Sequence, residues 1–187
     1  MSKARDNNAE KIFSCQSTSL FKATEPIHPL DFRHYLCELT SEEFRGIELI
    51  KRLIELLKLK IRFLLGLEKH RIAGKRKRTP IEALNLKPSE IVEVKSFKEI
   101  LETLDSKGRN RGLEFTPEMR KYCGKRFKVL KRVNQMIIEE TGKMRQIPNT
   151  VILEGVTCDG KAHRGCQRTC FCLWREIWLK RVGESKE

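Results

Sequence analysis

Residues 127–156 read FKVLKRVNQMIIEETGKMRQIPNTVILEGV and form the clearest hairpin pattern in the chain. Both the segment 127–138 and the segment 150–156 are rich in the β-branched and aromatic residues that favour strands. Between them, Glu140-Thr141-Gly142-Lys143 supplies the glycine that a tight turn favours. The pattern therefore predicts two antiparallel strands and decides the β part of the fold.

Shorter elements precede this hairpin. The segment 91–95, Ile-Val-Glu-Val-Lys, predicts a strand, and Ser96 with Glu99 predicts a capping box that opens a short helix. Residues 116–118, Thr-Pro-Glu, have the cap, the proline and the acid of a helix start. Strands of this size with short intervening helices predict a small, partly open SH3-like β-barrel over residues 81–187.

A long amphipathic helix is predicted before the barrel. Threonine and glutamate at positions 40 and 43 form a capping box, and the helix that it opens covers residues 41–73. Apolar residues recur at alternating spacings of three and four, which is a heptad-like pattern; they are Ile47, Ile50, Ile54, Leu57, Ile61 and Leu64. We interpret it as a core helix with a basic outer face, and a homodimer interface or a membrane-surface helix remain as alternatives.

These elements predict an α+β fold in three parts. Residues 1–25 are expected to form a flexible arm, and residues 26–80 a helical region that ends in a basic linker. Residues 81–187 are expected to form the barrel domain, with a metal loop at 158–172. The linker contains Lys-Arg-Lys-Arg at positions 75–78, which we interpret as a solvated connector, with phosphate binding or a nuclear address as alternatives.

The composition limits the partners and the compartment. The chain of 187 residues has 39 Lys and Arg against 25 Asp and Glu, a formal charge of +14. Such a charge attracts nucleic acid, an anionic membrane or an acidic protein. No stretch has the apolar length of a transmembrane segment, and the polar first ten residues do not predict a signal peptide. We therefore expect a cytoplasmic protein with reduced thiols.

Four of the seven cysteines fall between positions 158 and 172, together with a histidine. In a reducing compartment this clustering favours a metal site over disulfides. The spacing C-x4-H-x2-C-x3-C supplies four soft ligands for a tetrahedral zinc ion, or alternatively for an iron–sulfur centre; the residues are Cys158, His163, Cys166 and Cys170. Gly160 and Gly165 allow the turns of such a loop.

The identity of the ligands is left open at two positions. Cys172 follows Cys170 by two residues, so in a strand both thiols project to the same face and either is able to ligate. Cys123 precedes the first hairpin strand and is a candidate ligand from outside the cluster. By contrast, Cys15 and Cys37 are interpreted as ordinary structural cysteines. Two tryptophans at 174 and 178 are expected to pack over the metal loop.

The stretch from Ile91 to Trp178 resembles a family of small, largely uncharacterised bacterial proteins with an SH3-like barrel and a C-terminal Cys/His metal-binding motif. The resemblance rests on Glu99-Ile100-Leu101-Glu102-Thr103-Leu104-Asp105, Pro117-Glu118-Met119, Tyr122-Cys123-Gly124-Lys125-Arg126-Phe127-Lys128-Val129, Leu153-Glu154-Gly155-Val156, and Cys158, His163, Cys166, Cys170 and Trp174. It covers about half the chain and implies no particular reaction. It does imply that Cys123 belongs with the metal site.

Two functions of different classes follow. The first is a metal-stabilised binding module for nucleic acid or an acidic protein, which accounts for the charge and the ligand set. The second is a redox or catalytic accessory with an iron–sulfur centre or an open metal site. The sequence has no H-E-x-x-H motif, no nucleophile elbow and no phosphate-binding or dinucleotide fingerprint. We therefore favour the binding module and leave enzymatic activity undecided.

Overall fold

The computed structural model describes residues 11–26, 50–51, 54, 57–58, 61, 72–160, 166 and 168–182. The chain divides into two compact units. One comprises Met1–Asp31 with Val133–Pro148, and the other comprises Phe32–Arg132 with Asn149–Glu187. Among the described helices, none combines the length and the apolar character required to cross a membrane.

The first unit contains helix α1, Gln16–Ala23, within the segment expected to be a flexible arm. Ile12 forms an antiparallel bridge with Lys143, and the amide of Phe13 donates to the carbonyl of Gly142 at 2.8 Å. Gly142 itself has a φ of 67° and ends the tight turn of the hairpin. The turn predicted from Glu140 to Lys143 is therefore confirmed, and its glycine occupies the left-handed conformation that favours this residue.

The second unit is built around a sheet with short helical connections. Its order along the chain is β1 (Ile91–Val94), α2 (Phe97–Leu101), β2 (Arg109–Asn110), β3 (Leu113–Glu114), a 3-10 helix (Pro117–Tyr122), β4 (Arg126–Ile137), β5 (Met144–Thr157), β6 (Phe171–Arg175), a second 3-10 helix (Glu176–Trp178) and β7 (Leu179–Arg181). Strands β4 and β5 also extend into the first unit. Strands β2 and β3 form a separate two-stranded sheet.

The main sheet has the order β6-β5-β4-β1-β7. Strand β1 pairs antiparallel with both β4 and β7, and β5 pairs antiparallel with β6. The predicted strand at 91–95 and the predicted hairpin strands are thus confirmed. The capping box is confirmed as well, because the Ser96 amide donates to the Glu99 carboxylate at 2.8 Å while the Ser96 hydroxyl accepts from the Glu99 amide at 3.4 Å.

The core of the second unit is apolar and rich in aromatic residues. Trp174 and Trp178 are both fully buried, and each ring meets Phe115 edge to face at centroid distances of 6.1 and 5.3 Å. The indole N–H of Trp178 donates to the hydroxyl of Thr103 at 3.1 Å. The tryptophans are therefore central core residues that join the sheet to the 97–116 region, and Cys172 belongs to the same hydrophobic cluster.

The predicted α+β fold class is wrong. The described chain is mostly sheet, and its only helix of eight residues is α1, whereas α2 and the two 3-10 helices are shorter. The sheet does not close into the predicted SH3-like barrel, because β6 and β7 are the two ends of its strand order. Strand number and short connections alone suggested a barrel, but closure depends on which strands pair.

The long amphipathic helix at 41–73 is also corrected, since no element of the described chain is such a helix. The six described residues between 50 and 61 are helical, and the other residues of this stretch lie outside the described part of the chain. The apolar pattern suggested a packed seam, but its described members are exposed by 46 to 59%; they are Ile50, Ile54, Leu57 and Ile61. The homodimer expected through 41–73 rested on this helix and stays a prediction.

Candidate functional site

The thiol cluster lies where β5 ends and β6 begins. The pairing of these strands runs regularly from Thr150 opposite Arg175 to Ile152 opposite Leu173, and then shifts so that Thr157 stands opposite Phe171. Gly155, inside the shift, has a φ of 70°, which a glycine adopts without the penalty of a Cβ atom. After this irregularity Cys158 follows directly on Thr157 and lies next to Cys170, just before β6.

Cys158 and Cys172 are brought together at this end of the sheet. The amide of Cys158 donates to the carbonyl of Cys170 at 2.8 Å, which ties the start of the loop to its end. Cys172 is buried and Cys158 is half-buried, and the negative charge of Cys158 helps to raise the pKa of Cys172. Cys172, one of the two candidate ligands that the sequence left open, therefore lies near Cys158 in the fold.

Glu118 lies beside both thiols. Burial raises the pKa of Cys172 to about 12, and the negative charge of Glu118 acts in the same direction. Burial also raises the pKa of Cys158; the amide of Gly160 opposes this, whereas the neighbouring carboxylate of Glu118 reinforces it. Burial and the carboxylate of Glu118 thus both favour the protonated form of the two thiols.

The 3-10 helix Pro117–Tyr122 positions this carboxylate. The Tyr122 hydroxyl donates to the carbonyl of Thr157 at 3.0 Å, and Lys121 forms an ion pair with Asp159 at 2.7 Å. Glu118 and Lys121 are three residues apart, so they lie on the same face of a helix with three residues per turn. The helix therefore closes one side of the thiol cluster.

The loop between the two anchored cysteines is only partly described. The amide of Gly160 donates to the Sγ atom of Cys158 at 3.3 Å, and a Cβ atom at position 160 would lie 2.0 Å from the carbonyl oxygen of Cys166. Gly160 has a φ of 69°, as expected for a turn that requires glycine. The thiols of Cys166 and Cys170 belong to exposed residues, and His163 and Gly165 lie outside the described residues.

Cys123 and Cys15 differ in their surroundings. Cys123 is half-buried against the hydrophobic core, and burial raises the pKa of its thiol while the charge of Arg120 lowers it. Cys15 is exposed in the first unit. Cys37 lies outside the described residues.

The donor set fits a soft metal ion in part. Two thiols, an N–H···S bond and a glycine turn are features that a thiolate site requires. Within residues 72–160, 166 and 168–182, however, no group of three Cys, His, Asp or Glu side chains has the arrangement to hold a metal ion. A complete tetrahedral shell would need two further ligands besides Cys158 and Cys172.

A second polar centre, which the sequence did not indicate, surrounds the fully buried Glu176. Its carboxylate accepts hydrogen bonds from the amides of Leu84, Asn85 and Leu86 at 2.8, 3.1 and 2.9 Å, and it forms an ion pair with Arg132. All of its described interactions hold the 84–86 segment against the sheet, so its role is structural.

Glu118 and the Lys121–Asp159 pair were likewise missed as neighbours of the thiols. The sequence contains only a weak signal for them: Glu118 and Lys121 share one helical face, and Asp159 follows Cys158 directly. Comparison with known proteins adds no assignment: no family model, curated protein or solved structure matches this chain.

Proposed function

We propose that residues 158–172 bind a zinc ion and that the protein acts as a metal-stabilised binding module for nucleic acid or an acidic protein. The observation that carries the proposal is the convergence of Cys158 and Cys172, with Cys170 joined to Cys158 through its backbone. The further ligands are proposed to come from Cys170, Cys166 and His163. The resemblance to Cys/His-containing bacterial proteins makes Cys123 a further candidate ligand.

A role as metal ligand agrees better with the thiol environment than a role as nucleophile. Buried thiols with raised pKa values are poor nucleophiles, since the thiolate is the reactive form. A bound metal displaces the thiol proton and compensates the thiolate charge. Such thiolates persist under reducing conditions, so the proposal includes action in the cytoplasm.

Metal analysis of the anaerobically purified full chain tests this proposal. We expect stoichiometric zinc in the unmodified protein and its loss in Cys158→Ser and in Cys172→Ser, because either change leaves an incomplete shell. Cys166→Ala and Cys170→Ala are expected to lower occupancy as well. Absorbance in the visible range, with iron in place of zinc, would instead support the iron–sulfur alternative.

The control is Cys15→Ser, which removes an exposed thiol from the first unit. It should keep the full metal content. Emission of the buried Trp174 and Trp178 reports whether each variant retains the core. Full occupancy in both folded variants, Cys158→Ser and Cys172→Ser, would show that these thiols are not ligands.

A further inference from the structure

The basic segment at 75–78 has exposed side chains, and its backbone is attached to residues 104 and 105 at Arg76 and at the neighbouring Gly74. The amide of Gly74 donates to the carbonyl of Asp105 at 2.7 Å, and the amide of Arg76 donates to the carbonyl of Leu104 at 3.1 Å. The Arg76 Nε atom donates to the carbonyl of Glu102 at 2.8 Å. The backbone of this segment therefore has a defined course on the second unit.

A second cationic stretch is attached to the same segment. The amide of Arg111 donates to the hydroxyl of Thr79 at 3.0 Å. The buried side chain of Asn110 donates to the carbonyl of Pro80 and to that of Thr103, both at 3.1 Å. Consequently the segment 72–80 and the loop 102–111 run side by side, although about thirty residues of chain separate them.

Six exposed cations come from these two stretches, and we call them the cationic patch; they are Lys75, Arg76, Lys77, Arg78, Lys107 and Arg111. The ion pairs between described residues include none of these six side chains. Arg109 is left out of the patch because it stands opposite Glu114 in the β2–β3 register.

Two carboxylates lie in the same region. The Asp105 carboxylate accepts hydrogen bonds from the amides of Arg109 and Lys107. The hydrogen bond from the Arg109 amide is the main reason that the pKa of Asp105 is lowered. Glu102 is exposed and contributes its carbonyl to Arg76. The six cations outnumber these two acids, so the surface is strongly positive.

Arg175 supports the patch from the interior. Its guanidinium donates to the carbonyl of Arg111 at 3.1 Å and to the hydroxyl of Thr150 at 3.0 Å. The residue is buried, so its charge acts on Arg111 across protein rather than water. It holds the Arg111 backbone in place and increases the positive potential there.

We propose that the cationic patch binds the phosphate backbone of double-stranded nucleic acid without reading its base sequence. Exposed Lys and Arg on an ordered backbone provide the contacts that neutralise phosphates. Residues 72–80 and 102–111 contain no aromatic residue, so the patch offers no stacking platform for single strands. The six patch positions likewise provide none of the apolar centre that a protein interface adds. The inference specifies the partner of the proposed function, and it does not require the metal.

Binding of a short mixed-sequence duplex, as DNA and as RNA, to the full chain tests this inference. The variant carries Lys75→Gln, Lys77→Gln and Arg78→Gln, and it leaves Arg76 with its backbone contact. We expect affinity at low salt to fall by about tenfold or more, and the slope of log K against log salt to lose roughly two to three in magnitude. A second variant with Lys107→Gln and Arg111→Gln should weaken binding in the same direction.

The control variant carries Lys98→Gln, Lys125→Gln and Lys128→Gln, which removes the same charge from exposed positions of the second unit. It should bind within about twofold of the unmodified protein, because counterion release depends on contacted phosphates. A single strand of the same sequence should bind more weakly than the duplex. Metal content is measured for every variant and should not change, so this test and the metal test fail independently.

Three results would overturn the inference. One is the absence of duplex binding at low salt. Another is an equal loss of affinity in the control variant, which would mean that net charge alone acts. The third is tight, patch-dependent binding of a polyglutamate peptide by a protein that does not bind the duplex, which would assign the patch to an acidic protein.

Discussion

At the scale of single residues, Glu176 is a charged residue in the interior of the second unit and needs hydrogen-bonding partners there. Its carboxylate is fully buried, yet it satisfies three backbone amides and the guanidinium of Arg132. A buried charge is tolerated only when such partners surround it. The sequence interval between Glu176 and these amides is 90 to 92 residues, so this carboxylate links the segment before β1 to the segment after β6.

We predict that Glu176→Gln lowers the free energy of unfolding by about 3–5 kcal/mol, because the charge of Arg132 and at least one amide lose their acceptor. Urea denaturation followed by tryptophan emission measures the change. The matched control is Glu93→Gln, whose carboxylate pairs with Lys180 and Arg126 at the surface. The control should lower stability much less, because an ion pair exposed to solvent contributes little. Equal costs for the two variants would contradict the structural role of Glu176.

At the scale of elements, two irregular segments determine where the functional groups lie. The bulge between Ile152 and Thr157 brings Cys158 beside β6, and the close approach of Gly74 to Leu104 places the basic segment next to the 102–111 loop. Both depend on glycine, but for different reasons. Gly155 has a positive φ and open space around it, whereas Gly74 has no room for a Cβ atom.

We predict that Gly74→Ala releases the segment 72–78 from the loop at 104–105. A Cβ atom at position 74 would lie 2.0 Å from the Leu104 carbonyl oxygen, so the backbone must move and the hydrogen bonds to Leu104 and Asp105 must lengthen. Amide hydrogen exchange at positions 74 and 76 should become faster, with a loss of about 1–3 kcal/mol in stability.

Gly112→Ala is the control for this substitution, because position 112 has a φ of 82° but no atom within 4 Å of an added Cβ. It strains its own turn without pressing on a neighbour. Protection at positions 74 and 76 should therefore stay as in the unmodified protein. Unchanged exchange in Gly74→Ala would mean that the basic segment is not docked as described.

At the scale of the whole molecule, the main core and the cysteine loop have different sources of stability. Trp174, Trp178 and Phe115 pack together with the apolar faces of the strands, and this burial does not depend on a ligand. The segment 158–170 has few apolar residues, and its two ends are joined by the hydrogen bond from the Cys158 amide to the Cys170 carbonyl. Its order must therefore come largely from ligation under the proposed function.

We predict that chelation opens the loop but leaves the sheet intact. Trypsin should cut faster after Lys161, Arg164 or Arg168, while tryptophan emission and the far-UV circular dichroism of the sheet change little. The tryptophans are expected to stay buried because their contacts lie in the core. If verified metal loss leaves the trypsin pattern unchanged, ligation does not order this loop. If both optical signals collapse instead, the core depends on the metal.

Local features of the sequence were sufficient for some of the elements. β-Branched and aromatic residues predicted the strands at 91–95, 127–138 and 150–156, which correspond to β1, β4 and the second half of β5, and the Ser96–Glu99 box predicted the start of α2. The clustering of cysteines predicted a metal loop at 158–172 in the same way, because spacing along the chain is a local property. These inferences need only the period of a strand and the chemistry of a cap or ligand.

Contacts between distant segments were decided only by the tertiary structure. The strand order, the burial of Glu176, the place of Glu118 beside Cys158 and Cys172, and the docking of residues 72–80 on 102–111 all join positions far apart in the chain. A residue's type does not reveal which remote group will satisfy it, because that depends on the register of strands and the path of loops. For the same reason the apolar pattern at 41–73 was no guide to packing: an amphipathic period describes a face, and only the fold decides what meets it.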